Sequence, residues 1–141
     1  MHEKVRYIKR PSYLGLREED TAIWERFIEK FPEAYEEVIY NLHVGSGAEI
    51  PEGTAGNIAT DFKLLTQFKI DVIGFMGDRL DIIEVKPHAG FSAMGQIKNY
   101  LALYRRDVNA NAQLTGVLIT DFERPDVVDM CREASIKYYV V

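Results

Sequence analysis

Apolar residues recur at helical spacing from about Leu16 to Phe31, where Ile23, Trp24, Phe27, Ile28 and Phe31 form one stripe. Pro32 ends that helix, since a proline inside it would remove a backbone donor. Val38, Tyr40, Leu42 and Val44 then alternate with Ile39, Asn41 and His43, the period-two mark of a strand. Gly45-Ser46-Gly47 closes it, and the glycines and proline of residues 45–60 predict a loop, with a short helix starting near Leu64 and Leu65. The stretch Lys69–Lys86 reads as two strands rich in β-branched residues around Gly77-Asp78, a hairpin signal. A helix over 92–106, a strand over 114–120, a short helix over 126–132 and a last strand over 136–141 complete the pattern. Residues 1–15 contain Pro11, Gly15 and aromatic residues without a period, and predict an irregular arm. The order α-β-β-β-α-β-α-β predicts an α/β fold with a mixed β-sheet flanked by helices.

Composition narrows the picture. At 141 residues the chain has the size of one domain, covering 1–141 with the arm included. A domain of this length buries about two-thirds of its unfolded surface and needs no staple. One cysteine, Cys131, excludes an intrachain disulfide and a cysteine-rich zinc site, and reads as a small buried residue. No run approaches the roughly 18 apolar residues of a membrane span, and Met-His-Glu-Lys-Val-Arg does not read as a signal peptide, so a soluble cytoplasmic protein is expected. Seventeen Lys and Arg stand against 22 Asp and Glu, a net charge of −5, which argues against binding nucleic acid through counterion release alone. The cations are unevenly spread: Lys4, Arg6, Lys9 and Arg10 crowd the arm, and Arg105 and Arg106 end the long helix. They are either phosphate-backbone contacts or solvated surface, and the helix pair also suits the helix dipole.

The hairpin carries the chemistry. With Gly77-Asp78 as a two-residue tip, Met76 faces Arg79, and counting outward Asp71 faces Glu84. Cross-strand partners have Cβ atoms about 4.5–5.5 Å apart on one face. Lys86 lies two residues beyond Glu84, hence on that face too. Ile73, Phe75, Leu80 and Ile82 share the face, so two carboxylates and an amine sit at one end of an apolar surface. Such a carboxylate pair repels and loses solvation unless a cation lies between its members. Mg²⁺ accepts one or two carboxylates and completes its shell with water and phosphate oxygens. A structural ion network is the alternative reading.

Ile-Asp71-Val-Ile-Gly followed by Ile-Ile-Glu84-Val-Lys86 resembles the Asp…Glu-x-Lys core of the PD-(D/E)XK nuclease superfamily, and the element order of residues 16–120 is similar to its restriction-endonuclease-like αβββαβ core, here with a C-terminal αβ extension. Gln96-Ile-Lys-Asn-Tyr100 is similar to the Gln-x-x-x-Tyr signature of RecB-like members, and i, i+4 positions share a helix face. Ile70 stands where the name-giving proline often precedes the aspartate. The resemblance implies a metal-dependent nuclease acting on DNA with Mg²⁺ or Mn²⁺, alone or directed by a protein partner. It implies Asp71, Glu84 and the Val85 main-chain carbonyl as metal ligands, Lys86 as the catalytic lysine, and Gln96 with Tyr100 beside the metal site. Many members add an acidic residue from the first helix. Asp20 falls on its apolar stripe and is the choice here, although an aspartate there also reads as an N-cap. By analogy with small phage-encoded or mobile-element members, host cytoplasm would be the compartment. The alternative function is a non-catalytic module that binds nucleic acid or protein on a nuclease fold. His88 is either a phosphate or metal contact or a solvated loop residue, and His43 reads as structural.

Overall fold

In the computed structural model, which describes residues 3–141, six strands lie side by side in the order in which the chain makes them. They are β1 (Val5–Arg6), β2 (Glu37–Val44), β3 (Phe68–Met76), β4 (Arg79–Val85), β5 (Gln113–Thr120) and β6 (Lys137–Val140). Four helices, α1 (Glu18–Lys30), α2 (Gly56–Thr66), α3 (Phe91–Asp107) and α4 (Pro125–Glu133), join them. Pairing is antiparallel from β1 to β4 and parallel from β4 to β6, so the sheet is mixed. The expected α-β-β-β-α-β-α-β order is present, with β1 and α2 added to it.

Both additions correct the sequence reading. The arm is not irregular throughout: Val5 and Arg6 pair with Val38 and Glu37 at the sheet edge. Tyr7 and Tyr13 are buried, and the Tyr7 hydroxyl donates to the Phe31 carbonyl oxygen at 2.8 Å, which ties the arm to the end of α1. A two-residue strand is too short to show a period. The loop expected over 45–60 gives way to helix at Gly56, and the short helix expected to start near Leu64 and Leu65 instead ends there: α2 runs eleven residues to Thr66, none of them buried. Its half-buried face is limited to Ala59, Phe62 and Thr66, too few apolar positions to stand out as an amphipathic stripe.

The hairpin follows its turn chemistry. Gly77 has φ 58° at the first central position of the turn, where a II′ geometry requires glycine. Met76 pairs with Arg79, Phe75 with Leu80, Gly74 with Asp81, Ile73 with Ile82 and Val72 with Ile83, the register that the two-residue tip dictates.

Helices cover both sheet faces. On one, α1 buries Ile23, Trp24, Phe27 and Ile28 against Val38, Tyr40, Val72, Ile83, Val117 and Ile119, and the Trp24 indole N–H donates to the Tyr40 hydroxyl at 3.0 Å. On the other, α3 and α4 bury Ala93, Ile97, Val127 and Cys131 around Leu118, with Tyr100 and Tyr104 over Ile70, Ile73 and Ile82. Cys131 is buried, as its small apolar character suggested. Gly116 lets α3 lie close on β5, because a β-carbon there would come within 2.5 Å of the Ile97 side chain. That approach sets the depth at which α3 presents its inward face to the strands. Among the described residues no helix is long and apolar enough to cross a membrane.

Candidate active site at a fork in the sheet

β3 and β4 stay paired from the tip as far as Val72 and Ile83. Beyond that point each follows its other neighbour. β3 continues along β2, with Ile70 opposite Leu42 and Phe68 opposite Val44, whereas β4 continues along β5, with Glu84 opposite Leu118 and Val85 opposite Ile119. The strands therefore part, and Asp71 and Glu84 occupy the first position inside the fork. Asp71 takes over the role of the missing ladder partner: its Oδ2 accepts the Val85 backbone N–H at 3.0 Å.

The neighbouring strand bends the sheet at the same level. Asn41 has φ 57°, a left-handed conformation that asparagine tolerates better than most residues. Tyr40 and Val72 pack beneath α1, but Leu42, Val44 and Ile70 pack in the opposite layer. The regular in-out alternation is interrupted at Asn41 and Asp71, and the opening is reached from both helix layers.

A cleft of about 450 Å³ fills the fork. The start of α1 contributes Arg17, Glu19 and Asp20, the strands contribute Asn41, Lys69, Asp71, Glu84 and Val85, Lys86 and Pro87 follow β4, and α3 contributes Gln96 and Tyr100. The structure thus gathers Asp71, Glu84, Val85, Lys86, Gln96, Tyr100 and Asp20 around one space. Asp20 is the third helical residue rather than the N-cap; Arg17 is the N-cap, and its backbone N–H donates to Asp20 Oδ2 at 3.3 Å.

The electrostatics are those of a carboxylate pair short of positive charge. The Asp71 and Glu84 carboxyl groups are close enough to act on each other. Loss of solvation pushes Asp71 up to about 6, against the pull of the Val85 N–H and with a further push from Asp20. Burial, and then the charge of Asp71, pushes Glu84 up to about 9. Lys86 acts on both in the opposite sense. Burial and the two carboxylates together raise the Tyr100 phenol well above its usual range, so it stays a hydrogen-bond donor.

Two buried acceptors in this cluster, Glu84 Oε2 and Gln96 Oε1, have no donor. An orphaned carboxylate oxygen and an orphaned amide oxygen beside a strained carboxyl pair suit a hard, oxygen-seeking cation. Among the described residues no three His, Cys, Asp or Glu side chains are grouped to enclose an ion by themselves. The donor set fits Mg²⁺ or Mn²⁺, which share their coordination with water and phosphate, better than a closed zinc site.

None of the six basic residues proposed for the phosphate backbone lines this cleft. Lys4 lies 4.3 Å over the Phe75 ring near the hairpin tip, and Arg6 belongs to β1. Lys9 pairs with Glu29, and Arg10 reaches back to the Arg6 carbonyl oxygen at 3.2 Å. Arg105 and Arg106 lie in the last turn of α3, Arg106 paired with Asp107 at 2.6 Å. The cations that do line the cleft, besides Lys86, are Arg17 and Lys69. Periodicity gives no reason to single out either one. Asn41 was legible only as a polar residue in an alternating strand. Buried Asp81, also unforeseen, accepts the Tyr35 hydroxyl at 2.7 Å and faces Arg79 and Lys137, an ion network near the hairpin tip.

Comparison of the chain with protein-family models, with curated proteins and with solved structures found no match.

Proposed function

We propose that the chain is a divalent-metal-dependent nuclease that hydrolyses DNA phosphodiester bonds, with a core of the restriction-endonuclease-like kind that its PD-(D/E)XK resemblance implies. The observation that carries the reading is the fork itself: Asp71 and Glu84 converge there with Lys86, and Glu84 Oε2 and Gln96 Oε1 lack donors. Asp71, Glu84 and the Val85 carbonyl would hold Mg²⁺ or Mn²⁺, with Asp20 at the margin. When bound, the ion polarises a phosphoryl oxygen and offsets charge that develops in the transition state.

The chain's own groups supply the rest. The Lys86 ammonium donates to the attacking water or to a non-bridging phosphate oxygen and opposes the negative charge of the cleft. Gln96 Oε1 accepts a hydrogen bond from a water and so orients it. The Tyr100 hydroxyl, kept protonated, lines the cleft from α3 as a hydrogen-bond donor. Glu84 is buried, which strengthens its interactions relative to those in water.

Purified protein incubated with labelled single-stranded, duplex and branched DNA tests the reading. Cleavage is expected with Mg²⁺ or Mn²⁺ and not with chelator, and Lys86→Ala should slow it about 10²–10³-fold. No cleavage of any substrate, with no metal binding by calorimetry, would overturn the proposal. The rival, a binding module without catalysis, draws on the net charge of −5 and the absence of a closed carboxylate cage among the described residues. It expects DNA or protein binding that metal does not alter.

A further inference from the structure

We propose that His88 and Phe122 form a base-stacking platform on the rim of the cleft, and that its ligand is an unpaired base of single-stranded DNA. The choice of ligand rests on the nuclease reading above; the platform itself rests on geometry. Pro87 lines the cleft and His88 is the next residue. His88 has φ 46°, a left-handed conformation uncommon for residues with a side chain. Two hydrogen bonds hold this segment. The His88 N–H donates to Asp121 Oδ1 at 2.8 Å, and the Ala89 N–H donates to the buried Thr120 Oγ1 at 3.0 Å. The chain after β4 is thereby fastened to the chain after β5.

The fastening brings two rings together. The His88 imidazole and the Phe122 ring stack with centroids 5.0 Å apart and planes 24° apart, and Phe122 keeps 52% of its surface exposed. This flat aromatic pair sits beyond the carboxyl ends of the parallel strands β4 and β5, where open α/β sheets bind their ligands. His88 follows Glu84 by four residues, so the platform lies at most about 14 Å of chain from the carboxylates, within a few nucleotides.

A planar exposed ring takes a planar partner, and only an unpaired base has a free face to offer, since duplex stacking already covers the faces of paired bases. Charge adds nothing to the attraction at this rim. Asp121 and Glu123 flank Phe122, with Arg124 next, so this rim has no excess of cations with which to track a phosphate backbone. Here stacking, and not counterion release, supplies the attraction.

Short oligodeoxynucleotides carrying 2-aminopurine, whose fluorescence falls when the base stacks, test the proposal in the presence of chelator. Wild-type protein should quench a single strand and bind it more tightly than the matching duplex. Phe122→Leu keeps apolar bulk but removes the ring, and should weaken single-strand binding about tenfold and abolish quenching. Phe122→Trp should retain both. Equal affinity and quenching in the Leu variant, or no preference for the single strand, would overturn the platform. A parallel cleavage assay with Mg²⁺ separates the two readings. Cleavage that is indifferent to Phe122→Leu, with quenching also unchanged, sinks the platform and leaves the nuclease. Quenching by a protein that cuts nothing leaves the platform and sinks the nuclease. Neither quenching nor cleavage sinks both.

Discussion

Asp71 and Glu84 bind protons more tightly in the fold than in the unfolded chain, and this reverses the usual effect of pH on stability. Unfolded, both carboxyls titrate near about 4; folded, they are pushed up to about 6 and about 9 by burial and by each other. The native protein therefore holds more protons than the unfolded chain between those values. The pair's contribution is whole below about pH 4 and is lost as pH rises through 6 toward 9. Metal-free protein should show a melting temperature that falls from pH 5 to pH 9, and Glu84→Gln should flatten that fall and melt several degrees higher at pH 8. Mg²⁺ should restore the wild type at pH 8 and leave the variant nearly unmoved, because a dication offsets the charge that the proton no longer neutralises. Thermal melts across pH with and without Mg²⁺ check this; a flat wild-type profile would contradict it. That Asp71 and Glu84 would come to one place was legible because a two-residue Gly-Asp tip sets the register, which the ladder keeps as far as Val72 and Ile83, one step short of pairing them. The parting of the strands was not, since it shows only in how β3 follows β2 and β4 follows β5 beyond the last β3–β4 pair.

Elements were legible where burial left a period, and illegible where it did not. α1 announced itself because Ile23, Trp24, Phe27 and Ile28 all face one core, and α3 because Ala93, Met94, Ile97, Tyr100 and Tyr104 do. Of α2 only a start near Leu64 and Leu65 was legible, and those residues prove to be its last turn, exposed like Ile58. An eleven-residue helix is marginal without packing, so its stability is local and low. Native-state hydrogen exchange should find the amides of 60–66 exchanging orders of magnitude faster than those of 97–104. Leu65→Gln should change unfolding free energy by less than about 0.5 kcal/mol. Ile97→Ala, which empties the contact over Gly116, should cost about 2–5 kcal/mol. Protection of α2 equal to that of α3 would show that it packs on something.

Across the whole molecule, the charge distribution means that a nuclease of the kind proposed would recruit its substrate locally. The net charge is −5, and several cations that looked available in the sequence are committed: Lys9 to Glu29, Arg106 to Asp107, and Lys4 to the face of Phe75. Arg106 and Asp107 are neighbours in the chain, but Lys9 meets Glu29 and Lys4 meets Phe75 only once the fold brings separate segments together, which a count of charges cannot show. Three cations remain at the cleft, Arg17 from α1, Lys69 from β3 and Lys86 after β4. If each meets one phosphate of a single strand, log K against log salt should fall with a slope of about −2, since each neutralised phosphate contributes roughly −0.7. Lys69→Gln should make that slope shallower by about 0.7, whereas Lys9→Gln and Arg106→Gln should leave it where it was. Fluorescence anisotropy over a salt series, with chelator present to prevent cutting, measures all four proteins. A slope of −5 or steeper in the wild type, or one that responds to Lys9 and Arg106 but not to Lys69, would move the nucleic-acid path off the fork and onto the outer surface.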